Sequence, residues 1–251
     1  IGFLDDFAKL RSVKGGGLTR REKMLWQSVA ALTAVAILYW FGTTQQRPSL
    51  LRIYVPFFKE FALDLPSWGF VGALVYCVFE WFTIVGTGNA VNITDGMDGL
   101  AAGCALVAGL ALGTLCYVAG SSKFANYLGV PSIEGGAEMS ILGAALVGGC
   151  LGFLWFNCYP AQVFLGDTGS LALGAMLAYL AILARQELVL PVIAAVFVAE
   201  AGSSYLQIFW FKRTGKRLFP IAPIHHVWQL RKYPEPKIVV RFWIVATLAA
   251  L

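Results

Sequence analysis

The chain has 251 residues, of which 58% are hydrophobic and 13% charged, with a net charge of +5 and a mean hydropathy of +0.70. Soluble domains carry roughly 25% charged residues, so this composition excludes an ordinary soluble domain and indicates a membrane protein. The basic residues flank apolar runs and do not line an aromatic surface, so the sequence shows no nucleic-acid-binding module.

The chain opens on IGFLDDFAKL, without an initiator Met or a signal peptide. We therefore expect it to be the C-terminal part of a longer protein, with residues 1–251 forming a single integral-membrane catalytic domain. Asp5 and Asp6 are adjacent, and in a helix their side chains would point about 100° apart, so we expect at most one to face a shared ion. An ordinary polar helix end is the alternative.

Seven apolar runs follow along the chain. They are residues 25–41, 68–86, 100–119, 139–156, 170–184, 189–210 and 242 onward. Each is near or somewhat below the roughly 20 residues that a helix needs to cross a bilayer, and the last stops at the end of the chain. Because lipid offers no partner to open backbone, we predict an all-α, polytopic transmembrane protein with about seven spans.

Alternation of seven spans divides the connecting segments between two faces. One face receives residues 1–24, 87–99, 157–169 and 211–241. This face carries 14 of the 19 Lys and Arg residues, so the positive-inside rule places it in the cytoplasm. The polar motifs LDDFAK (4–9), NITDGMDG (92–99), NCYPAQVFLGDTGS (157–170) and PIHH (223–226) all fall here. On the opposite face, residues 43–57 predict a short hairpin.

NITDGMDGL (92–100) carries Asp95 and Asp98, which would share one side of a helix that began here. Capping of the next helix by Thr94 or Asp95 is the alternative. A calcium loop is excluded because the twelfth position is Leu106 and not Glu. Asn92 starts a glycosylation sequon, which we discard because this segment is predicted to be cytoplasmic.

GTGNAVN (86–92) is a weak match to a dinucleotide-binding fingerprint: it lacks the last glycine and follows a membrane helix, so we reject it. Its glycines would still let backbone amides approach an anion beside the start of the next helix. We therefore expect a phosphate to be able to bind this segment.

FLGDTGS (164–170) places Asp167 between glycines and hydroxyls, immediately before the apolar run LALGAMLAYL. Capping alone is again the alternative. Together with Asp5-Asp6 and NITDGMDG, however, the motif puts carboxylates on three segments of one membrane face. Hard oxygen ligands from several segments are what Mg²⁺ prefers, with other positions left to water and substrate phosphates. The sequence therefore predicts a Mg²⁺ site.

Four further charged or titratable residues need an account. Adjacent histidines rarely bind one metal together, so we expect His225 and His226 to donate to phosphate or to a polar substrate group; a structural role is the alternative. Glu80 and Glu200 lie inside apolar runs, which is costly enough to predict a partner on another helix or in a lumen.

The five cysteines form no CxxC, and we interpret them as small buried hydrophobic residues without disulfides.

Several long strings in the chain resemble the MraY family of phospho-N-acetylmuramoyl-pentapeptide transferases, within the polyprenyl-phosphate N-acetylhexosamine-1-phosphate transferase superfamily. These strings are NAVNITDGMDGLAAG (89–103), FNCYPAQVFLGDTGSLALGA (156–175), KRTGKRLF (212–219), APIHH (222–226) and YPEPKIVVRFWI (233–244). The similarity runs through nearly the whole chain.

The resemblance implies a bacterial inner-membrane enzyme of peptidoglycan synthesis, generally with ten helices, often homodimeric, surrounded by membrane lipids and with a cytoplasmic active site. Using Mg²⁺, such an enzyme transfers phospho-MurNAc-pentapeptide from UDP-MurNAc-pentapeptide to undecaprenyl phosphate, giving lipid I and UMP. The implied Mg²⁺ ligand is Asp167. Asp5 would be the base or lipid-phosphate partner, with Asp6 grouped beside it as a catalytic candidate.

The resemblance also implies substrate-binding roles. The nucleotide pocket would be lined by Asn92, Asp95, Asp98 and Gly166, with Phe164 stacked on uracil. Lys9, Asn157 and His225 match positions linked with the active site, and His226 joins them as a substrate-binding candidate.

One departure leaves other functions open. The family usually has three histidines followed by an aromatic residue and Glu, whereas this chain reads HHVWQ, with Val227 and Gln229. A sister transferase that uses UDP-GlcNAc or a related UDP-sugar is therefore the first alternative.

An ion-coupled membrane transporter is the second alternative. Such a protein would place its acids at mid-membrane in interrupted helices.

Overall fold

The computed structural model describes residues 1–11, 16–45, 47–56, 58 and 61–251. Apart from one short hairpin, the described residues form helices and their connections, as predicted for an all-α protein. The helices are α1 (Gly2–Arg11), α2 (Arg20–Thr44), α3 (Gly69–Thr94), α4 (Leu100–Ala119), α5 (Ser122–Leu128), α6 (Gly136–Asn157), α7 (Gly166–Leu183), α8 (Leu190–Ile193), α9 (Ala195–Thr214), α10 (His225–Leu230) and α11 (Glu235–Ala250). The antiparallel strands are β1 (Ile53–Tyr54) and β2 (Ala62–Leu63).

Five helices in the described part of the chain are long and apolar enough to cross a membrane: α2, α3 with its preceding turn, α4, α6 and α7. They coincide with the first five predicted runs, so the chain is a multi-pass membrane protein. The run at 189–210 is divided between α8 and α9, and the last run forms the end of the 16-residue α11. Seven spans therefore remain a prediction.

Helix α3 is longer than predicted. It continues to Thr94, eight residues past the expected end at 86, so GTGNAVN is helical and its amides bond within the helix. The expectation that residues 86–92 form an anion-binding loop is therefore wrong. The glycines serve packing instead: a Cβ on Gly174 of α7 would lie 2.6 Å from the Gly88 Cα. Small residues let helix backbones approach closely in lipid. The close contact of Gly88 with α7 therefore favours continuation of α3 through residues 86–92.

Helix α4 lies at the centre of the bundle, packed against α6, α7 and α11. Many of its inward residues are small, with Ala101, Ala105 and Ala108 almost fully buried. Gly143 of α6 approaches α4 so closely that a Cβ there would lie 2.6 Å from the Gly113 Cα. This tight packing brings the start of α4, the end of α6 and the start of α7 to one end of the bundle.

At the opposite end of the bundle, the hairpin forms at residues 53–63, later than the predicted 43–57, of which residues 46 and 57 lie outside the described residues. Buried Arg185 lies beyond the end of α7. Its Nη1 is 3.7 Å from Glu80 Oε1 and 3.2 Å from Glu187 Oε1. It also donates to the Tyr76 hydroxyl at 3.3 Å. Glu80 thus has the partner that its buried position predicts.

The five cysteines are free. Cys104, Cys116 and Cys150 are buried in the bundle as predicted, and Cys77 is half-buried. Cys158 is exposed because it follows the last residue of α6, so the prediction that it is buried is wrong.

Candidate active site

Helix α1 lies against the start of α7. Its Gly2 permits this approach, because a Cβ at that position would overlap the backbone of Asp167 and Thr168. The Asp6 carboxylate then accepts hydrogen bonds from the Thr168 amide at 2.8 Å and from the Thr168 hydroxyl at 2.6 Å. Asp6 therefore joins α1 to the first turn of α7.

Asp5, Asp6 and Asp167 form a cluster in which one oxygen of each lies within 4.8 Å of the others. We call these three residues the carboxylate cluster. Both adjacent acids contribute an oxygen to this cluster, and the expectation that at most one of them faces a shared ion stays a prediction. Asp5 turns toward α2 and its preceding segment, Asp6 turns toward α7, and Asp167 lies within reach of both.

Two lysines neutralise part of the carboxylate cluster. Lys23 Nζ lies 2.8 Å from Asp5 Oδ2 and 2.5 Å from Asp167 Oδ2. Lys9 Nζ lies 2.6 Å from Asp5 Oδ2 and 3.2 Å from Asp6 Oδ1. The site thus combines three carboxylates with two ammonium groups.

Lys9 is a predicted site residue, whereas Lys23 is not. The sequence does contain a signal for Lys23. Thr19 and Glu22 form a capping box at the start of α2. That box places Lys23 in the first turn of α2, at the same end of the bundle as the acids.

The lysines keep the acids ionised. Burial acts to raise the pKa of Asp5, but hydrogen bonds from Lys23 and Lys9 outweigh burial and hold that pKa well below its usual range. Burial also opposes ionisation of Asp6, and hydrogen bonds from Thr168 together with Lys9 lower its pKa. The hydrogen bond to Asp5 raises the pKa of Lys9 despite partial burial. These groups form a charged site suited to phosphates and a divalent cation.

Asn92 belongs to this cluster as well. Its side-chain amide donates to Asp167 Oδ1 at 3.0 Å and to the Ser170 hydroxyl at 2.8 Å. The Ser170 hydroxyl in turn donates to the Gly166 carbonyl at 2.7 Å. The extension of α3 places Asn92 here, beside Asp167, and not among the residues that line the neighbouring cavity in which the nucleotide residues were predicted to meet.

A second compartment, a cavity of about 280 Å³, adjoins the carboxylate cluster. Its lining includes five of the predicted substrate-binding residues: Asp95, Asp98, Asn157, Phe164 and Gly166. Phe164 is 77% exposed, so its ring is available for stacking. The structure thus groups most of the predicted nucleotide residues around one cavity.

Hydrogen bonds shape this cavity by tying the 158–165 loop to the turn at 95–99. Asp98 Oδ2 accepts from the Ala161 amide at 3.0 Å. Asn157 accepts from the Gly99 amide at 3.0 Å and donates to the Val163 carbonyl at 2.8 Å. The side chains of Asp98 and Asn157 therefore bind the backbone of these two segments and also line the cavity.

The capping alternatives are wrong. The N-cap of α4 is Gly99 in a left-handed conformation (φ 77°), and no side chain caps that helix. Thr94 donates to the Ala90 carbonyl within α3, and Asp95 is the C-cap of α3. Because Asp95 and Asp98 lie in a turn and not on a helix, their predicted common helical side is also wrong. Helix α7 likewise has no side-chain cap, and Asp167 lies in its first turn.

Asp95 differs electrostatically from the carboxylate cluster. Burial, assisted by the nearby charge of Asp167, raises its pKa to about 6. A hydrogen bond from the Gly166 backbone opposes this shift without cancelling it.

His225 and His226 differ sharply in environment. His225 is fully buried, and its Nδ1 lies 2.9 Å from Glu200 Oε2, so Glu200 also has a partner. His226 Nδ1 lies 2.6 Å from Gln229 Oε1. Gln229, one of the two departures from the resembled motif, donates in turn to Glu235 at 3.0 Å.

A comparison with known families bears on residues 1–185, which match the family described as Glycosyl transferase family 4. The chain belongs to this family. Glycosyl transferase family 4 membership, together with the transmembrane helices, makes the protein a membrane-embedded glycosyl-1-phosphate transferase that moves a phospho-sugar onto a polyprenyl phosphate. The matched range contains both the carboxylate cluster and the adjoining cavity.

The carboxylate cluster fits a divalent cation in its donor chemistry. Carboxylate oxygens are hard ligands of the kind Mg²⁺ binds, and Asp5, Asp6 and Asp167 present them from two helices. Lys23 lies between Asp5 and Asp167, so an entering cation would compete with an ammonium group already in place.

Proposed function

We propose that this member of Glycosyl transferase family 4 transfers phospho-MurNAc-pentapeptide from UDP-MurNAc-pentapeptide to undecaprenyl phosphate, giving lipid I and UMP. The observation that carries the proposal is the junction of a charged carboxylate–lysine cluster with a cavity lined by Phe164 and Asp98. The long strings that resemble the MraY family support this donor and acceptor among those the family could use. That resemblance also supports a homodimer in the bacterial inner membrane.

The two compartments suggest a division of the donor substrate. The nucleotide would bind in the cavity, with uracil stacked on the exposed Phe164 ring and Asp98 near the base. The diphosphate would then reach the carboxylate cluster past Gly166, where a Cβ would lie 2.9 Å from Asp6 Oδ2. A backbone without a side chain at this point lets the phosphates approach.

Asp167, with Asp5 and Asp6, would hold Mg²⁺. When bound, the ion would stabilise negative charge that develops on the phosphoryl oxygens. Lys9 and Lys23 would contribute positive charge to the same oxygens, and Asn92 would orient the Asp167 carboxylate through its 3.0 Å hydrogen bond.

In the proposed reaction, an oxygen of the lipid phosphate attacks the sugar-side phosphorus of the donor. A new P–O bond forms, the bond from that phosphorus to the bridging oxygen breaks, and UMP leaves with the electron pair. A phosphate monoester is already largely ionised near neutral pH, so little proton removal is needed. The lowered pKa of Asp5 makes it a weak proton acceptor, which favours a role in holding Lys9, Lys23 and the metal ion over a role as the base.

A two-step route through an aspartyl-phosphate is the alternative mechanism. Acid quenching during turnover, followed by a search for phosphorylated protein, distinguishes the two. We expect no phosphoenzyme; trapping one would overturn direct attack.

An apolar cavity of about 500 Å³ lies beside the cluster between α2, α3 and α7. It begins at Gly2 and Thr168 and continues along Ala31, Val85 and Tyr179. Its apolar lining and its position next to Asp6 suit the prenyl chain of the acceptor lipid. The cytoplasmic orientation of this end is proposed from the Lys and Arg distribution.

A sister reaction with UDP-GlcNAc is the second candidate. The observation that favours it is the HHVWQ string, in which Gln229 pairs with His226 at 2.6 Å. The transporter alternative is disfavoured because the acids of the carboxylate cluster lie near helix starts and because the chain belongs to a transferase family.

The test is UMP release by detergent-solubilised protein supplied with undecaprenyl phosphate, Mg²⁺ and either UDP-MurNAc-pentapeptide or UDP-GlcNAc. We expect release with the first donor. Release only with UDP-GlcNAc would select the sister reaction, and no release from either donor would contradict both.

Asp167→Asn tests the proposed metal ligand. We expect UMP release to fall by about a thousandfold (~4 kcal/mol), because the amide cannot supply the anionic oxygen. The matched control is Asp64→Asn at the other end of the bundle, where Asp64 forms a partly exposed pair with Arg52. Near-normal turnover of D167N would remove Asp167 from this role.

A further inference from the structure

Glu200 and His225 form a pair inside the protein, and the side chains of both are fully buried. Glu200 Oε1 accepts from the His225 backbone amide at 3.1 Å, and Glu200 Oε2 lies 2.9 Å from His225 Nδ1. Two contacts from one carboxylate fix both the backbone and the ring of His225. Glu200 is therefore matched to this histidine in position and in hydrogen-bonding capacity.

The ring is held in one orientation as a result. An ionised Glu200 can only accept, so the proton of a neutral His225 ring resides on Nδ1. The ring's other nitrogen, Nε2, points away from Glu200. Nε2 is buried and makes no hydrogen bond to the described residues.

His225 Nε2 lies directly against the turn that lines the candidate nucleotide cavity. A Cβ built on Gly96 would lie 2.5 Å from Nε2 and 2.9 Å from the neighbouring ring carbon. Gly96 follows Asp95 and is separated from Asp98 by one residue. The imidazole thus packs against a turn residue that also lines the cavity, although His225 itself is not part of that lining.

We propose that Glu200 is a positioning residue for nucleotide binding: through His225 it holds the turn at 95–99 in the shape that presents Asp95 and Asp98 to the cavity. The expected kinetic effect rests on the proposed function, because that proposal assigns the cavity to the nucleotide. His225 acts here through Gly96 and not by contact with phosphate.

The pair itself is tested by nuclear magnetic resonance without any substrate. The chain has two histidines, so ¹⁵N-histidine labelling gives two side chains, and His226→Asn assigns them. We expect a protonated Nδ1 on His225 in the wild type, lost in Glu200→Ala and retained in Glu200→Gln, whose amide oxygen still accepts. A His225 ring protonated on Nε2 alone in the wild type would overturn the pairing.

The effect on the turn is tested by amide hydrogen exchange of residues 95–99. We expect at least tenfold faster exchange in Glu200→Ala than in the wild type, with most protection restored in Glu200→Gln. The matched control is Glu80→Gln, which alters an equally buried glutamate in the middle of α3, paired with Arg185, and should leave exchange in this turn unchanged. Equal exchange in E200A and the wild type would overturn the proposal.

The kinetic consequence is tested by UMP release. We expect E200A to raise KM for the UDP-sugar about tenfold while kcat changes less than threefold, and E200Q to restore most of the loss. A collapse of kcat with unchanged KM would instead indicate that His225 acts on the reacting phosphates, and would overturn the positioning role.

Two further comparisons keep the test decisive. Gly96→Ala introduces a Cβ against His225 Nε2 and should reproduce the E200A effects if the latter variant does not fold. Should the wild type release no UMP from either donor, the proposed function fails. Faster exchange in E200A would then still indicate that the Glu200–His225 pair holds the turn at 95–99 in place.

Discussion

Lys23 lies between two carboxylates that belong to different helices, Asp5 of α1 and Asp167 of α7. Its ammonium group would compete with a divalent cation for the same carboxylate oxygens, and its charge lowers the negative potential of the carboxylate cluster. The net charge of the site therefore depends on one residue, Lys23, and on the position in which α2 packs.

Lys23→Met should strengthen Mg²⁺ binding and weaken catalysis. Removing one positive charge beside the carboxylates should lower the apparent dissociation constant for Mg²⁺ about tenfold (~1.4 kcal/mol), while UMP release falls because a phosphate partner is lost. The measurement is thermal unfolding at increasing Mg²⁺. The control is the same substitution at the exposed Lys123; equal or weaker Mg²⁺ binding by K23M would contradict the argument.

Asp95 should make stability depend on pH. Its pKa in the folded protein is about 6, above the ordinary 3.8. Between these values the folded state binds more protons than the unfolded state, so the free energy of unfolding falls as pH rises through this window, by at most ~3 kcal/mol. Melting temperatures from about pH 4 to about pH 8 in EDTA measure the slope. Asp95→Asn should flatten it, and parallel curves would exclude this carboxyl as its source.

At the scale of the elements, the contact between α3 and α7 decides where the site forms. Gly88 and Gly174 allow these two backbones to approach closely. The same contact brings Asn92, near the end of α3, to Asp167 at the start of α7. Packing in mid-bundle thus sets the geometry of polar groups at the helix ends.

Gly174→Ala should disturb both stability and activity. The new Cβ would lie 2.6 Å from the Gly88 Cα and 2.7 Å from the Thr87 carbonyl oxygen. The helices must separate, which should cost about 1–3 kcal/mol of stability and reduce UMP release by stretching the Asn92–Asp167 contact. Thermal unfolding and the UMP assay measure these effects.

Gly148→Ala is the matched control within a helix. A Cβ there has no neighbour within 4 Å, so stability should stay equal or rise by up to ~1 kcal/mol because alanine favours helix. Equal behaviour of the two alanine variants would show that the α3–α7 approach does not limit stability.

On the scale of the whole molecule, the two ends of the bundle carry different kinds of charge. One end holds the partly exposed carboxylate cluster with Lys9 and Lys23. The other holds Arg185 sealed between Glu80 and Glu187, with no side-chain exposure. The 18-residue α7 separates the two ends by roughly 27 Å. We interpret the sealed group as structural and the open group as the reaction site.

Arg185→Met should therefore lower stability without lowering the specific activity of the folded protein. Removing one partner leaves buried carboxylates uncompensated, at a cost of about 3–5 kcal/mol. The control, Arg52→Gln, breaks a partly exposed pair with Asp64 and should cost at most ~1 kcal/mol. Thermal unfolding and UMP release per folded molecule are the measurements; a stable but inactive R185M would contradict a purely structural role.

The helical class, the first five apolar runs and the gathering of the polar motifs at one end of the bundle follow from the sequence alone. They do so because hydropathy over about 20 residues and the alternation of spans are properties of the chain alone. The motifs around Asp95 and Asp167 were recognisable because aspartates beside glycines stand out in an apolar sequence, and Asp5 stood out beside a second aspartate.

Which of these residues meet depends on the packing of the helices. That packing placed Asn92 on Asp167 through a longer α3, brought both adjacent aspartates to one cluster, and added Lys23 from another helix. It also paired Glu200 with His225 behind Gly96. Such pairs lie far apart in sequence, and they form because small residues let helix backbones approach and because buried charges require partners, neither of which periodicity can reveal.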